Sequence, residues 1–377
     1  MPSGIGRHGE LHQRLIDPSH LMACAVAAAR GKRRRPEVAR FLLDLEPNCF
    51  ALAAELREGV WFPGQYRTFM VTEPKPRMIS AAPFRDRVVH HALVSLLEPH
   101  FERRFVAHSF ACRRGKGTHR ALMRASSLFQ RRRFVLKADV AKFFPSIDHE
   151  LLKAAVRRVI ADDGLMVVLE RVIDGSNPQE PVMSWFPGDD LFGPALRRRG
   201  LPIGNLTSQF LANVYLDQVD HAVMDRLGFG HYVRYCDDML VFDDDRDRLW
   251  DARASLAAEL ARLRLTLHER KGGVHATHAP VPFLGFVLCG GRRRLARASV
   301  VRATRRLRRQ AAALSGGLMA LSDVSSSVAA WRGHVAHGTS PGLLMRVLMR
   351  SGLGVVDSSV IHEEHAASAP VPAWTVA

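Results

Sequence analysis

The stretch His231–Phe242, HYVRYCDDMLVF, holds two adjacent carboxylates, Asp237 and Asp238, between two apolar arms. Tyr232-Val233-Arg234-Tyr235 precedes the acids and Met239-Leu240-Val241-Phe242 follows them, which predicts a β-hairpin with the acids at its tight turn. Adjacent like charges repel, so a hairpin tip gains no stability from holding them, and a divalent cation is the usual compensation. A solvated acidic turn is the plainer reading of an Asp-Asp pair, because most charged side chains stay in water. A third acid weakens that reading. Phe134–Val140, FVLKADV, predicts a strand ending in Asp139, and an acid leaving a buried strand costs solvation unless something pairs with it. Asp139, Asp237 and Asp238 together are the candidate metal-binding set.

The elements around them follow from periodicity and punctuation. Val38, Phe41, Leu42 and Leu45 predict an amphipathic helix after the basic run Lys32–Arg35. Tyr66–Thr72 and Arg77–Ser80 predict two strand arms broken by Glu73-Pro74-Lys75-Pro76. Lys75 and Arg77 then lie at a strand–turn–strand where cations suit phosphate. A helix is expected over 86–105. Arg113-Arg114-Gly115-Lys116-Gly117-Thr118 does not fit G-x-x-x-x-G-K-[ST]. It reads as a basic glycine turn, either an ordinary surface turn or one that touches a nucleic-acid backbone through Arg113 and Lys116. Residues 173–200 form an irregular insert. Its Gly188-Asp189-Asp190 is not a second catalytic pair, because proline interrupts both flanks. The loop Gly200–Gln209 opens a helix. There Gly204 permits close backbone approach, and Ser208 and Gln209 can donate hydrogen bonds. A helix is expected over 249–263, a strand over 265–267, and one apolar strand with a central glycine over 282–288. His275 and His278, with no acid or cysteine beside them, are weak evidence for metal. Arg292–Arg309 carries nine arginines in eighteen residues on a helical pattern.

Composition narrows the partners. The chain has 377 residues, 47% hydrophobic and 24% charged, enough for a large core and several subdomains. A formal net charge of +17, from 54 Lys+Arg against 37 Asp+Glu, suits a polyanion, with nucleic acid the leading candidate. No apolar run approaches the ~20 residues of a membrane span. The opening MPSGIGRHGELHQRL lacks a signal-peptide core, so no membrane is expected as a partner and a cytoplasmic location is. Five scattered cysteines without a C-x-x-C pair argue for reduced thiols and against a zinc site.

In this order, Asp139 with Phe143-Phe144, LPIGNLTSQ (201–209), Tyr235-Cys236-Asp237-Asp238, Lys271 after LTLHER, and Phe283-Leu284-Gly285-Phe286 resemble a reverse transcriptase. The resemblance covers roughly 32–350, and 75–93 and 110–122 share it. Ile203-Gly204-Asn205 followed by Ser208-Gln209 is most similar to the bacterial and phage enzymes of diversity-generating retroelements, or a sister lineage. It implies an α+β right-hand fold. Residues 1–31 would be an N-terminal extension, 32–285 interleaved fingers and antiparallel-sheet palm, 286–350 a basic helical thumb, and 351–377 a flexible tail.

By the same resemblance, Asp139, Asp237 and the Val140 carbonyl would hold two Mg²⁺ ions, with Mn²⁺ able to substitute and Asp238 in support. Lys75 and Arg77 would grip the triphosphate, Phe144 would select the deoxy sugar, and Lys271 would sit by the leaving pyrophosphate as a general acid. Ile203, Gly204 and Gln209 would line the nucleotide site, and Phe283, Leu284, Gly285 and Phe286 would grip the primer. Arg302, Arg305 and Arg309 would meet nucleic acid. The implied activity is RNA-directed DNA synthesis on an RNA template from a DNA or RNA primer with dNTPs. Ile in place of the commoner Gln at 203 implies low fidelity, and a basic accessory protein is a further expected partner. The alternatives are a group II intron-like, retron-like or phage-defence enzyme, or an RNA-binding scaffold with a vestigial polymerase fold.

Overall fold

A computed structural model describes residues 9–73, 75–176, 182–269 and 271–354. Helices α1 (Glu10–Leu15), α2 (Pro18–Ala28), α3 (Pro36–Leu43) and α4 (Leu45–Arg57) come first. The spacing from Val38 to Leu45 predicts one helix, but Asp44 at φ −111°, ψ 45° leaves the helical region and divides it into α3 and α4. A two-stranded hairpin follows, β1 (Arg67–Val71) and β2 (Arg77–Ala81), then α5 (Phe84–Glu102) and α6 (Thr118–Arg131). After β3 (Phe134–Asp139) come α7 (Phe143–Ser146), α8 (His149–Arg157), α9 (Asp163–Asp174), α10 (Gly193–Leu196) and α11 (Leu206–His221). The chain continues through β4 (Tyr232–Tyr235), β5 (Asp238–Asp243), α12 (Arg246–Arg262), β6 (Gly273–Ala276), β7 (Val281–Phe283), β8 (Phe286–Cys289) and β9 (Arg292–Leu295). It closes with α13 (Arg297–Ser315), α14 (Leu321–Val335) and α15 (Leu343–Arg350). Helices and antiparallel sheets in separate layers make the class α+β, as the sequence implied. The expected tail lies outside the described residues from 355 onward.

The central sheet runs β4-β5-β3-β6, antiparallel throughout. Its strands are near-continuous apolar runs because both faces are covered. Leu136, Ala138, Met239 and Val241 enter a large core with α2, α5, α8, α9, α11 and α12. Val135, Val233, Leu240 and Phe242 point the other way, into a smaller core with α6, β7–β9 and the C-terminal helices. The period of two along a strand sorts the side chains. Asp139 and Lys137 therefore share the face of Val135, and Asp238 shares that of Leu240.

Two expectations change. The apolar run at 282–288 is two strands, not one. Leu284 (φ 48°) and Gly285 (φ 82°) make a tight turn and Phe283 pairs with Phe286, the positive-φ geometry of a two-residue hairpin. Leu265–Leu267 is not a strand either, and contributes only the bridge of Leu267 to Val140. Asp189 and Asp190 are structural, as the sequence indicated. Asp189 accepts from the Phe186 amide at 2.8 Å and pairs with Arg197, and Asp190 accepts from the Phe192 amide at 3.0 Å.

Under β4 lies a fully buried ion pair, Arg234 with Asp220 of α11, at 2.5 Å. Removing one member of such a pair strands a charge in low dielectric, whereas an exposed pair contributes little. Asp220→Ala should lower the urea-unfolding free energy by about 3–5 kcal/mol. Arg226→Ala, which breaks the exposed pair with Glu259, should change it by under about 1 kcal/mol. Equal losses in the two variants would contradict this ranking.

Candidate active site

The acids meet where β3, β5 and the β4–β5 turn converge. Asp139 and Asp238 are direct cross-strand partners at the end of the β3–β5 ladder. Tyr235 pairs with Asp238, so Cys236-Asp237 is a two-residue turn, with Cys236 at φ 53°. Asp237 thus stands at the tip, one residue from the Asp139–Asp238 pair. Burial pushes the Asp237 carboxyl up to about 6, helped by repulsion from Asp238 and Asp139 and opposed by Arg77. Burial also raises Asp238, and Lys137, Lys271 and Lys75 pull it back while Asp139 raises it further. The three acids therefore act on one another, and the two cations from the β1–β2 hairpin act on them.

Lysines lie against these carboxylates. Lys271 Nζ lies 3.7 Å from Asp139, and Lys137 Nζ lies 3.8 Å from Asp238. Lys137 is also anchored, donating to the Pro282 carbonyl at 2.7 Å. Among the described residues no three His, Cys, Asp or Glu side chains converge into an ion-holding group as they stand. The donor chemistry nonetheless fits a hard divalent ion, with carboxylate oxygens flanked by a backbone carbonyl. His268 N binds the Asp139 carbonyl at 2.7 Å and Ala141 N binds the Thr266 carbonyl at 2.8 Å. The Val140 carbonyl lies between them and takes part in neither bond.

The other expected residues divide. Phe144 is half-buried, and its carbonyl is fixed by the Leu201 amide at 2.9 Å. Ile203 is half-buried and Gly204 exposed, and the Ile203 carbonyl accepts from Ser80 N at 3.0 Å, so this loop abuts β2. Gln209 accepts from the Cys112 thiol at 3.5 Å. Phe283 and Phe286 are buried in the smaller core, which leaves Leu284-Gly285 as the presented tip. Arg305 and Arg309 are exposed on α13, while Arg302 is half-buried and donates to Ser299 at 3.2 Å.

Arg113 departs from its expected role. It is buried, ion-paired to Glu102 at 2.8 Å, and donates to the Val106 and Ser109 carbonyls at 2.7 and 3.0 Å. A guanidinium committed in this way folds the 102–113 turn and is not offered to a phosphate. Lys116 is likewise half-engaged, donating to the Ala107 carbonyl at 2.6 Å and lying over the Phe110 ring.

Sequence reasoning missed the supports. Arg234 donates to Asp220, to Asn213 Oδ1 at 3.1 Å, to Ser109 Oγ at 3.0 Å and to the Cys236 carbonyl at 3.2 Å. It therefore holds the turn that presents Asp237. The available signal was an arginine inside an otherwise apolar arm, and Lys137 two residues before Asp139 was its counterpart on β3.

Carboxylate oxygens gathered at one strand end, with lysines beside them, are a donor set that suits a hard cation and a polyphosphate. Residues 72–288, more than half the chain, match the family described as reverse transcriptase (RNA-dependent DNA polymerase). The chain belongs to the reverse transcriptase family, whose domains use divalent metal ions. It is 27% identical over 195 residues to Protein YkfC of Escherichia coli, covering 50% of this chain and 47% of that one. It is 26% identical over 160 residues to a putative COX1/OXI3 intron 1 protein of Saccharomyces cerevisiae, covering 41% and 18%. It is 23% identical over 172 residues to the group II intron-encoded protein LtrA of Lactococcus lactis, covering 45% and 27%. The chain thus spans about half or less of the length of these relatives.

Asp217 of α11 lies beside the Arg234 network, and burial, with Asp220, pushes its carboxyl up to about 6. The folded state therefore binds more protons than the unfolded state between about pH 4 and 6. Stability from this group falls as pH rises through that window. Asp217→Asn should melt above wild type at pH 8 and level with it at pH 4. A wild-type advantage at pH 8 would contradict the assignment.

Proposed function

We propose that the chain is an RNA-directed DNA polymerase that extends a primer 3′-hydroxyl with dNTPs on an RNA template. The observation that carries this reading is the Asp139–Asp238 cross-strand pair with Asp237 on the adjoining turn, within reach of the fields of Arg77, Lys75 and Lys271. Bound divalent ions, Mg²⁺ with Mn²⁺ as a substitute, would supply Lewis-acid activation of the hydroxyl and neutralise the triphosphate. Asp139, Asp237 and the Val140 carbonyl would ligate them, and Asp238 would hold the first acid in place through the strand ladder. Lys75 and Arg77 orient the triphosphate. Lys271, half-exposed beside Asp139, can give a proton to the departing pyrophosphate. Phe144 presents a ring without a hydrogen-bonding group to the sugar, which excludes a 2′-hydroxyl. In this reading 32–285 are fingers and palm, α13–α15 are the thumb, and Arg305 and Arg309 meet the duplex backbone.

All three acids are retained, which speaks against a vestigial scaffold. Two lineages fit the enzyme. The intron-encoded relatives favour a group II-like protein. Ile203, apolar where a hydrogen-bonding side chain is commoner, favours the error-prone, diversity-generating kind.

Primer extension on RNA with Mg²⁺ tests the activity. Wild type should give full-length cDNA, and Asp237→Ala/Asp238→Ala should lose at least about a thousandfold in rate, given the size of charge-stabilising effects. Full activity in that double variant would overturn the assignment. Phe144→Ala should raise ribonucleotide incorporation relative to dNTP, and an unchanged ratio would remove it as the sugar gate. Sequenced cDNA should carry fewer errors in Ile203→Gln than in wild type, and equal spectra would sink the low-fidelity reading.

A further inference from the structure

Asn205 stands at the N-cap of α11, with φ −110° and ψ 146°. Asparagine is among the best capping residues because its side-chain oxygen can accept from the first free amides of the helix. Here the side chain makes no such bond. It is 4% exposed and reaches across to β2 instead. Its Nδ2 donates to the Ser80 carbonyl at 2.9 Å, and its Oδ1 accepts from the Ala82 amide at 3.3 Å. Ser80 N donates to the Ile203 carbonyl at 3.0 Å. Between them Gly204, at φ +113°, brings the backbone so near that a Cβ would lie 2.8 Å from Ile79 Cγ2. The segment 203–205 is thus a surrogate strand for β2, with the Asn205 amide replacing a peptide group.

The β1–β2 hairpin needs this dock. Two strands alone are marginal in water, and β1 is exposed along Arg67–Met70. The buried part of the hairpin is Ile79-Ser80, the stretch that Asn205 and Gly204 engage. Arg77 begins β2, three residues before Ser80 on the same strand. We propose that Asn205 is a positioning residue: its side-chain amide fixes β2, and through the strand Arg77 at its start, and so sets affinity for the nucleoside triphosphate. This rests on the reading of Arg77 as a triphosphate grip.

Asn205→Ser separates positioning from capping. Serine caps a helix as well as asparagine, but it is too short to bond both Ser80 and Ala82. In steady-state primer extension on RNA with Mg²⁺ and varied dNTP, its KM for dNTP should rise about tenfold, with kcat within about threefold of wild type. Arg77→Ala should raise KM too, and adding Asn205→Ser to it should raise KM little further. An unchanged KM in Asn205→Ser, or independent multiplication of the two effects, would overturn the proposal. If Asn205→Ser melts below the assay temperature, Asn205→Asp carries the same comparison, since it keeps the acceptor for Ala82 but sets a charge against the Ser80 carbonyl. Wild type inactive on every template would instead defeat the polymerase reading, so the two failures are distinguishable.

Discussion

The ion pair between Arg234 and Asp220 is the interaction on which the geometry of the site depends. Both side chains are fully buried. Desolvating two charges is costly, and their attraction offsets that cost only when the remaining donors and acceptors are also met. Here they are. Asp220 accepts from Tyr232 Oη at 2.8 Å as well as from Arg234, and Asn213 passes the network on to the Ala111 carbonyl at 2.8 Å. One guanidinium thereby joins α11, the 109–111 segment and the carbonyl of the turn residue preceding Asp237. An apolar core could hold β4 equally well, but it would not orient a turn carbonyl. The charge supplies direction where apolar packing supplies only cohesion.

Above that support the site is electrostatically uncomfortable. Three acids share one end of the β3–β5 ladder, and burial with mutual repulsion raises two of them. Lys137 and Lys271, each beside one of these acids, relieve the stress. Sites that bind cations or polyphosphates commonly keep such tension, because the ligand relieves it. The sheet beneath is covered on both faces, so the acids cannot escape by shifting register: a slip of one residue would turn every apolar side chain to the wrong core.

A second buried network fixes the residues around Phe144. Asp148, fully buried, caps α8 through the Leu151 amide at 3.0 Å and binds Arg264 at 2.6 Å and Arg197 at 3.4 Å. Arg197 also holds Asp189. Asp189, one of the acidic pair in the 173–200 insert that imitates a catalytic motif, thus helps to fasten the insert to the strand-to-helix connection bearing Phe144. Gly200, at φ +97°, closes that connection in a backbone conformation that a residue with a side chain rarely adopts.

Much of this was legible in order along the chain. Strand periodicity with turn residues placed the β4–β5 hairpin, the acid ending β3 and the helix after Asn205, because local backbone preference and alternation decide such elements. Reading Leu284-Gly285 as the middle of one strand failed because only the turn geometry reveals that both residues take positive φ. Arg113 and Arg234 look alike as letters, each a cation near a candidate site. One turned out to brace the 102–113 turn, and the other to hold the Cys236-Asp237 turn. The sequence by itself determined which residue types could bind a cation and which strands carry them. Only the tertiary structure decided which charges are spent on one another, because a buried charge takes its meaning from partners distant in the chain. Asn205 marks the boundary: its type announces a helix cap, and contacts more than a hundred residues away give it a different task.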